Sequence, residues 1–167
     1  KCDIRVARIT ECEPLADSEK LYVEQIDCGE GRLRTIGSGL RPFIPLEQMT
    51  EGLCLVFANL KPRKLATIKS EGMVLCASSA DHSTVELMRP PAGAKVGERV
   101  QLEGNPINGE PLTNDYQAVL NPKRKVPEKL LPLLRADADR QATYNGVRLI
   151  TSAGPITAAT LANCSIS

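Results

Sequence analysis

Four cations fall within nine residues of this chain: Lys61, Arg63, Lys64 and Lys69, with no acid until Glu71. A basic segment of this kind can lay positive charge along a phosphate backbone and displace its counterions. Asn59 and Ser70 flank the segment, and their side chains can donate hydrogen bonds to phosphate or 2′-hydroxyl groups. A second basic run is Lys123-Arg124-Lys125. The plain alternative for either run is a solvated turn. Net charge says little, because 14 basic residues face 15 acidic ones through residue 105, and 7 face 5 beyond it. The local run carries the signal.

The rest of the inventory argues against catalysis and against a resident metal or cofactor. One histidine, His82, sits in Ser79-Ala80-Asp81-His82-Ser83 and reads as an inert surface residue, so no histidine-based triad or metal cluster can be assembled. Gly29-Glu30-Gly31 and Gly37-Ser38-Gly39 lack the lysine of a phosphate loop and the third glycine of a dinucleotide loop, so they read as turns. The six cysteines, at 2, 12, 28, 54, 76 and 164, form no Cys-x-x-Cys pair. They read as small buried hydrophobes of a reducing compartment, with the cytoplasm as the default. No apolar run approaches the ~20 residues of a membrane span. Three tyrosines, two phenylalanines and no tryptophan offer few platforms for base stacking, and Phe57 lies in the most apolar run, where core is the simpler reading. A basic surface with few stackers suits the backbone and shape of folded RNA better than splayed bases.

The elements that must position these residues have two textures. Residues 1–105 read as short strands separated by turns. Ile4 and Val6 alternate with Arg5 before the phase slips at Ala7-Arg8, which predicts a bulge. Strands follow at Leu21–Ile26 and Leu33–Ile36, then at Leu53–Ala58, whose continuous apolar run predicts burial on both faces. Met73–Ala77, Val85–Met88 and Arg99–Leu102 complete the set, and Pro45 starts one helical turn through Met49. The count suggests a mainly β fold with a small closed barrel, and an OB-fold suits it, although a sandwich fits the pattern too. Asn105–Pro111 is turn-forming and marks a boundary, so 1–105 reads as the barrel and 106–167 as a C-terminal extension. A short helix is expected from Pro127 through Leu131, with Pro132 ending or restarting it. Leu130, Leu131, Leu133, Leu134 and Val147 are too many apolar residues for a solvated tail, so the extension is expected to pack on the barrel. The opening Lys1-Cys2-Asp3-Ile4-Arg5 is neither a start methionine nor a signal peptide, and suggests one piece of a longer protein.

Asn59-Leu60-Lys61-Pro62-Arg63-Lys64 followed by Ser70-Glu71-Gly72-Met73-Val74-Leu75-Cys76-Ala77-Ser78-Ser79 closely resembles the signature of the tRNA-binding OB domain of some tyrosyl- and methionyl-tRNA synthetases and their accessory proteins. The likeness is to the endothelial monocyte-activating polypeptide II type, which adds a second C-terminal unit to a five-stranded barrel. Further matches are Leu21-Tyr22-Val23-Glu24, Pro45-Leu46-Glu47-Gln48-Met49 and Ala142-Thr143-Tyr144-Asn145-Gly146-Val147. The resemblance implies an α+β extension packed on the barrel. It also implies a non-catalytic module that binds tRNA by shape and delivers it to an attached or partner synthetase or multi-synthetase complex. The RNA-facing set carried over by position is Asn59, Lys61, Arg63, Lys64, Ser70, Met73 and Ser78, with Lys123, Arg124 and Lys125 as a second set. Met73 has a rival reading as barrel core. A monomer is implied, because the extra unit covers the face that simpler relatives use to dimerise. Thr67 stands where the family commonly has glycine, and a β-branched residue resists positive φ, so an altered loop shape is expected. Ser18-Glu19-Lys20 looks two residues longer than usual.

Two other functions fit the same resemblance. One is a secreted cytokine-like polypeptide acting through Arg5-Val6-Ala7-Arg8-Ile9-Thr10, for which a plain first strand is the simpler reading. The other is a protein-docking OB domain of a multi-synthetase complex.

Overall fold

The computed structural model describes residues 3–16, 18–103, 123 and 125–167. The chain is mainly β, with curled sheets forming an OB-like barrel. Its elements in order are β1 (Ile4–Pro14), β2 (Tyr22–Asp27), β3 (Leu33–Ser38), α1 (Leu46–Met49), β4 (Cys54–Phe57), β5 (Arg63–Leu65) and β6 (Ile68–Ser70). Next come β7 (Met73–Val74), β8 (Cys76–Ser78), β9 (Val85–Leu87), β10 (Gln101–Leu102) and α2 (Val126–Leu130). The last are β11 (Leu134–Ala136), β12 (Ala142–Tyr144), β13 (Val147–Thr151), β14 (Gly154–Pro155) and β15 (Cys164–Ile166).

β1 is the hub. Ile4–Ala7 pair with β4, and Arg8–Pro14 pair with β2, giving a five-stranded sheet in the order β3-β2-β1-β4-β7. The segment before β10 returns to β1: Val6 N donates to Glu98 O, Gly97 N to Val6 O and Val100 N to Ile4 O, each at 2.8 Å. Gly29 (φ 77°) permits this closure, because a Cβ there would stand 2.6 Å from Gly97 Cα. The bulge lies between Ile9 and Glu11, further along than the phase slip implied. The slip has a different cause. Val6 and Ala7 are both fully buried, but in different cores.

Two apolar clusters explain that double burial. The barrel interior holds Ala7, Ile9, Ile26, Ile36, Cys54, Val56, Val74 and Cys76. The opposite faces of the same strands, with Val6, Leu55, Phe57, Leu75 and Ala77, pack with Leu134, Ile156 and Ile166 of the extension. All four β4 residues are buried for this reason. The extension also joins by strand pairing. β15 adds to β8 and β13 to β10, giving an eight-stranded sheet that crosses from barrel to extension. Leu134 is buried and Leu130 and Leu131 are partly so, whereas Leu133 and Val147 remain exposed. The helical stretch covers Val126–Leu130, and Pro132 restarts the chain as a 3-10 turn at Leu131–Leu133. The boundary expected at 105/106 lies outside the described residues.

Candidate nucleic-acid interface

The basic segment is not a loop but a two-stranded arm. Among the described residues β5 and β6 pair only with each other, with Arg63 opposite Ser70, Lys64 opposite Lys69 and Leu65 opposite Ile68. The left-handed position of its two-residue turn falls on Ala66 (φ 52°) rather than Thr67, so the β-branched residue avoids the strained region. Period-two alternation then splits the cations. Leu65 and Ile68 approach Gly37 of β3, which seats one face of the arm on the barrel. Arg63 belongs to that face, and Lys64 and Lys69 to the other. Lys64 and Lys69 stand directly opposite each other across the hairpin, a like-charge arrangement that is mildly unfavourable in a sheet. Lys61, Arg63, Lys64 and Lys69 are all exposed, and none has an acidic partner among the described residues. Glu71, the acid that ends the run, is committed to β3: it accepts from Thr35 N at 2.9 Å and pairs with Arg32 at 3.4 Å.

Beneath the arm is a cleft of about 450 Å³. Lys61, Arg63, Ser70, Met73 and Ser78 all line it, as do Phe43 and His82. Ser70 is spent internally, since its hydroxyl accepts from Gly37 N and donates to Gly72 O, both at 3.1 Å. Ser78 is 6% exposed and lines the cleft. Met73 packs against the outer core and also lines the cleft. Lys64 does not line the cleft, being on the arm's outer face.

Asn59 is placed differently from the expectation of an RNA-facing residue. It is fully buried, and its Oδ1 accepts the Asp3 amide at 2.9 Å. Asp3 is itself 1% exposed and pairs with Arg5 at 2.9 Å and Arg99 at 3.5 Å. Asn59 therefore ties the start of β1 to the end of β4 and presents no surface to a ligand. Lys123 and Lys125 are exposed and do not line the cleft, and Arg124 lies outside the described residues.

Three features were missed in the sequence. Lys69 was counted among the cations but not carried into the site, although it completes the arm's outer face. Phe43 is 40% exposed at the cleft; its flanking prolines, Pro42 and Pro45, were the available signal that it sits on a turn. Glu24 occupies an inward position of β2, fully buried. The Ser38 hydroxyl donates to its Oε1, and Oε2 has no hydrogen-bond partner among the described residues. Burial pushes its carboxyl up to about 8. Desolvation likewise raises the Cys54 thiol to about 12 and the Cys28 thiol to about 11, as expected of inert core cysteines. Arg5–Thr10 lies within β1, with Val6, Ala7 and Ile9 buried.

A family model described as "Putative tRNA binding domain" matches residues 4–99. The chain is 45% identical to the cytoplasmic methionine–tRNA ligase of Arabidopsis thaliana over 166 residues, covering 99% of this chain and 20% of that protein. It is 42% identical to the cytoplasmic tyrosine–tRNA ligase of Gallus gallus, covering 100% and 31%. It is 38% identical to the aminoacyl tRNA synthase complex-interacting multifunctional protein 1 of Mus musculus, covering 99% and 51%. The chain thus spans between a fifth and a half of these relatives. Among solved structures, the C-terminal domain of Plasmodium vivax p43 superposes with a TM-score of 0.87 at 35% identity, covering 99% of this chain and 96% of that one. No helix among the described residues is long and apolar enough to cross a membrane. With a family match over more than half its length and a near full-length structural likeness, the chain belongs to the tRNA-binding domain family.

Proposed function

We propose that this chain is a non-catalytic module that grips folded tRNA through the β5–β6 arm and the cleft beneath it. In this reading it brings tRNA to an attached or partner aminoacyl-tRNA synthetase in the cytoplasm. The observation that carries it is the arm with the residues leading into it: Lys61 before the arm and Arg63, Lys64 and Lys69 on it are exposed and without acidic partners among the described residues, and Lys64 and Lys69 stand opposed across the hairpin. Contacts of this kind read the backbone rather than the bases, so little preference among tRNAs is expected. Family membership and the names of the relatives support the choice of tRNA and the link to synthetases. The extension's cover over the outer barrel face supports a monomeric module.

Filter binding of bulk tRNA across a salt series tests the proposal. If Lys61, Arg63, Lys64 and Lys69 each neutralise one phosphate, log K falls with log salt with a slope of about −3 to −4. Changing Lys61 and Lys64 together to alanine reduces that slope by roughly 1.5 and weakens different tRNAs alike. A double variant that binds tRNA at wild-type strength in moderate salt would reduce the arm to a solvated hairpin.

A further inference from the structure

We propose that the cleft under the arm seats one unpaired nucleotide of the bound RNA, with its base stacked on Phe43 and its phosphate held by Lys61 and Arg63. The inference rests on the tRNA-binding reading above and adds what the composition argued against, an aromatic platform at the site.

Phe43 is built as a fixed surface. Leu40 and Ile44, on either side of it, are buried in the barrel at 8% and 5% exposure. The Phe43 and Ile44 amides both donate to Leu40 O at 2.9 Å, and the Tyr22 hydroxyl holds Ile44 O at 2.8 Å. Pro42 and Pro45 restrict the backbone further. The ring is thus left 40% exposed on a pinned turn. An exposed phenylalanine held in this way loses little entropy when a flat ligand covers it.

The charge at the cleft decides the occupant. Lys61 and Arg63 are exposed on its lining, and no Asp or Glu side chain occurs among the described lining residues. An apolar peptide would leave those cations unused, whereas a nucleotide brings a phosphate to them and a π-face to Phe43. Ser78 and His82 on the lining supply polar groups for a base edge or ribose. The volume, about 450 Å³, lies within the ~300–1,000 Å³ of small-ligand sites. A base inside a duplex cannot reach a platform of this kind, because its faces are already stacked. The occupant is therefore an unpaired nucleotide at a strand end or loop.

The chain has no tryptophan, so the Phe43→Trp variant carries one indole, at the proposed platform. Its emission is followed during titration with a short single-stranded oligoribonucleotide and, separately, a blunt-ended RNA duplex. Quenching by the single strand and none by the duplex is expected. In parallel, Phe43→Ala weakens binding of tRNA and of the single strand about 5- to 140-fold, by the usual worth of one base–aromatic stack. It leaves duplex binding and the salt slope unchanged, with thermal melting confirming the fold. Equal losses on single strand and duplex, or no loss on either while wild type binds tRNA, would overturn the proposal and leave the arm's role intact. Wild-type chain that binds no RNA at low salt would sink both.

Discussion

Replacing Asn59 by alanine separates a residue that builds the site from one that touches RNA. Asn59 Oδ1 is the acceptor for the Asp3 amide at 2.9 Å, and both residues are buried. Removing it leaves a buried N–H unpaired, at a cost of about 1–3 kcal/mol. For a chain of this length each kcal/mol lowers Tm by about 2–4 °C, so Asn59→Ala should melt roughly 2–12 °C below wild type. A domain starting with ~5–15 kcal/mol of stability stays overwhelmingly folded after that loss. Its tRNA affinity near room temperature should then match wild type within experimental error. Circular dichroism melts and filter binding, run on Asn59→Ala beside Lys61→Ala, give the two readouts. Lys61→Ala should show the opposite pattern, an unchanged Tm and weaker binding. An Asn59→Ala variant with wild-type Tm and weakened tRNA binding would refute the placement, and would mean that this strand end opens to meet RNA.

Two further outcomes follow from buried groups. Glu24 is protonated more readily in the folded chain, because desolvation raises its carboxyl to about 8 from an ordinary 4.5. The folded state therefore binds the extra proton between these values, and stability falls as pH rises through that window, by at most about 1.4 kcal/mol per pH unit. Glu24→Gln should flatten this fall and gain stability relative to wild type at pH 8; urea titrations at pH 5.5 and 8 showing the same difference in both proteins would contradict it. Ile166 is an extension residue at 2% exposure in the core shared with the barrel, so Ile166→Ala should cost about 2–5 kcal/mol of the unfolding free energy. A single cooperative transition, shifted as a whole, is the expected melt, and a barrel transition that stays put would show the extension to be separable.

Local pattern made much of this chain legible. The apolar run Leu53–Ala58 announced a strand covered on both sides, and β4 is one. Pro45 announced a single helical turn, and α1 spans Leu46–Met49. The density of cations from Lys61 to Lys69 marked the candidate interface. Each of these depends on residues that are neighbours in sequence, where periodicity, proline geometry and charge spacing act directly. The sequence also held the apolar surplus of the extension, which said that it must dock, though not which of its leucines would be covered.

What tertiary structure alone decided is the direction in which each polar or aromatic group faces. Asn59 and Lys61 are two residues apart, yet one is buried and the other exposed, because Asp3 arrives from 56 positions away to take the Asn59 oxygen. Lys64 and Arg63 are adjacent, yet they serve opposite faces, because the segment pairs with itself as a hairpin and the pleat alternates them. Phe57 and Phe43 are the same residue type, yet the extension buries one and a pinned turn exposes the other. Side-chain chemistry is written residue by residue, but whether a group meets solvent, a partner strand or a ligand depends on what the rest of the chain brings against it.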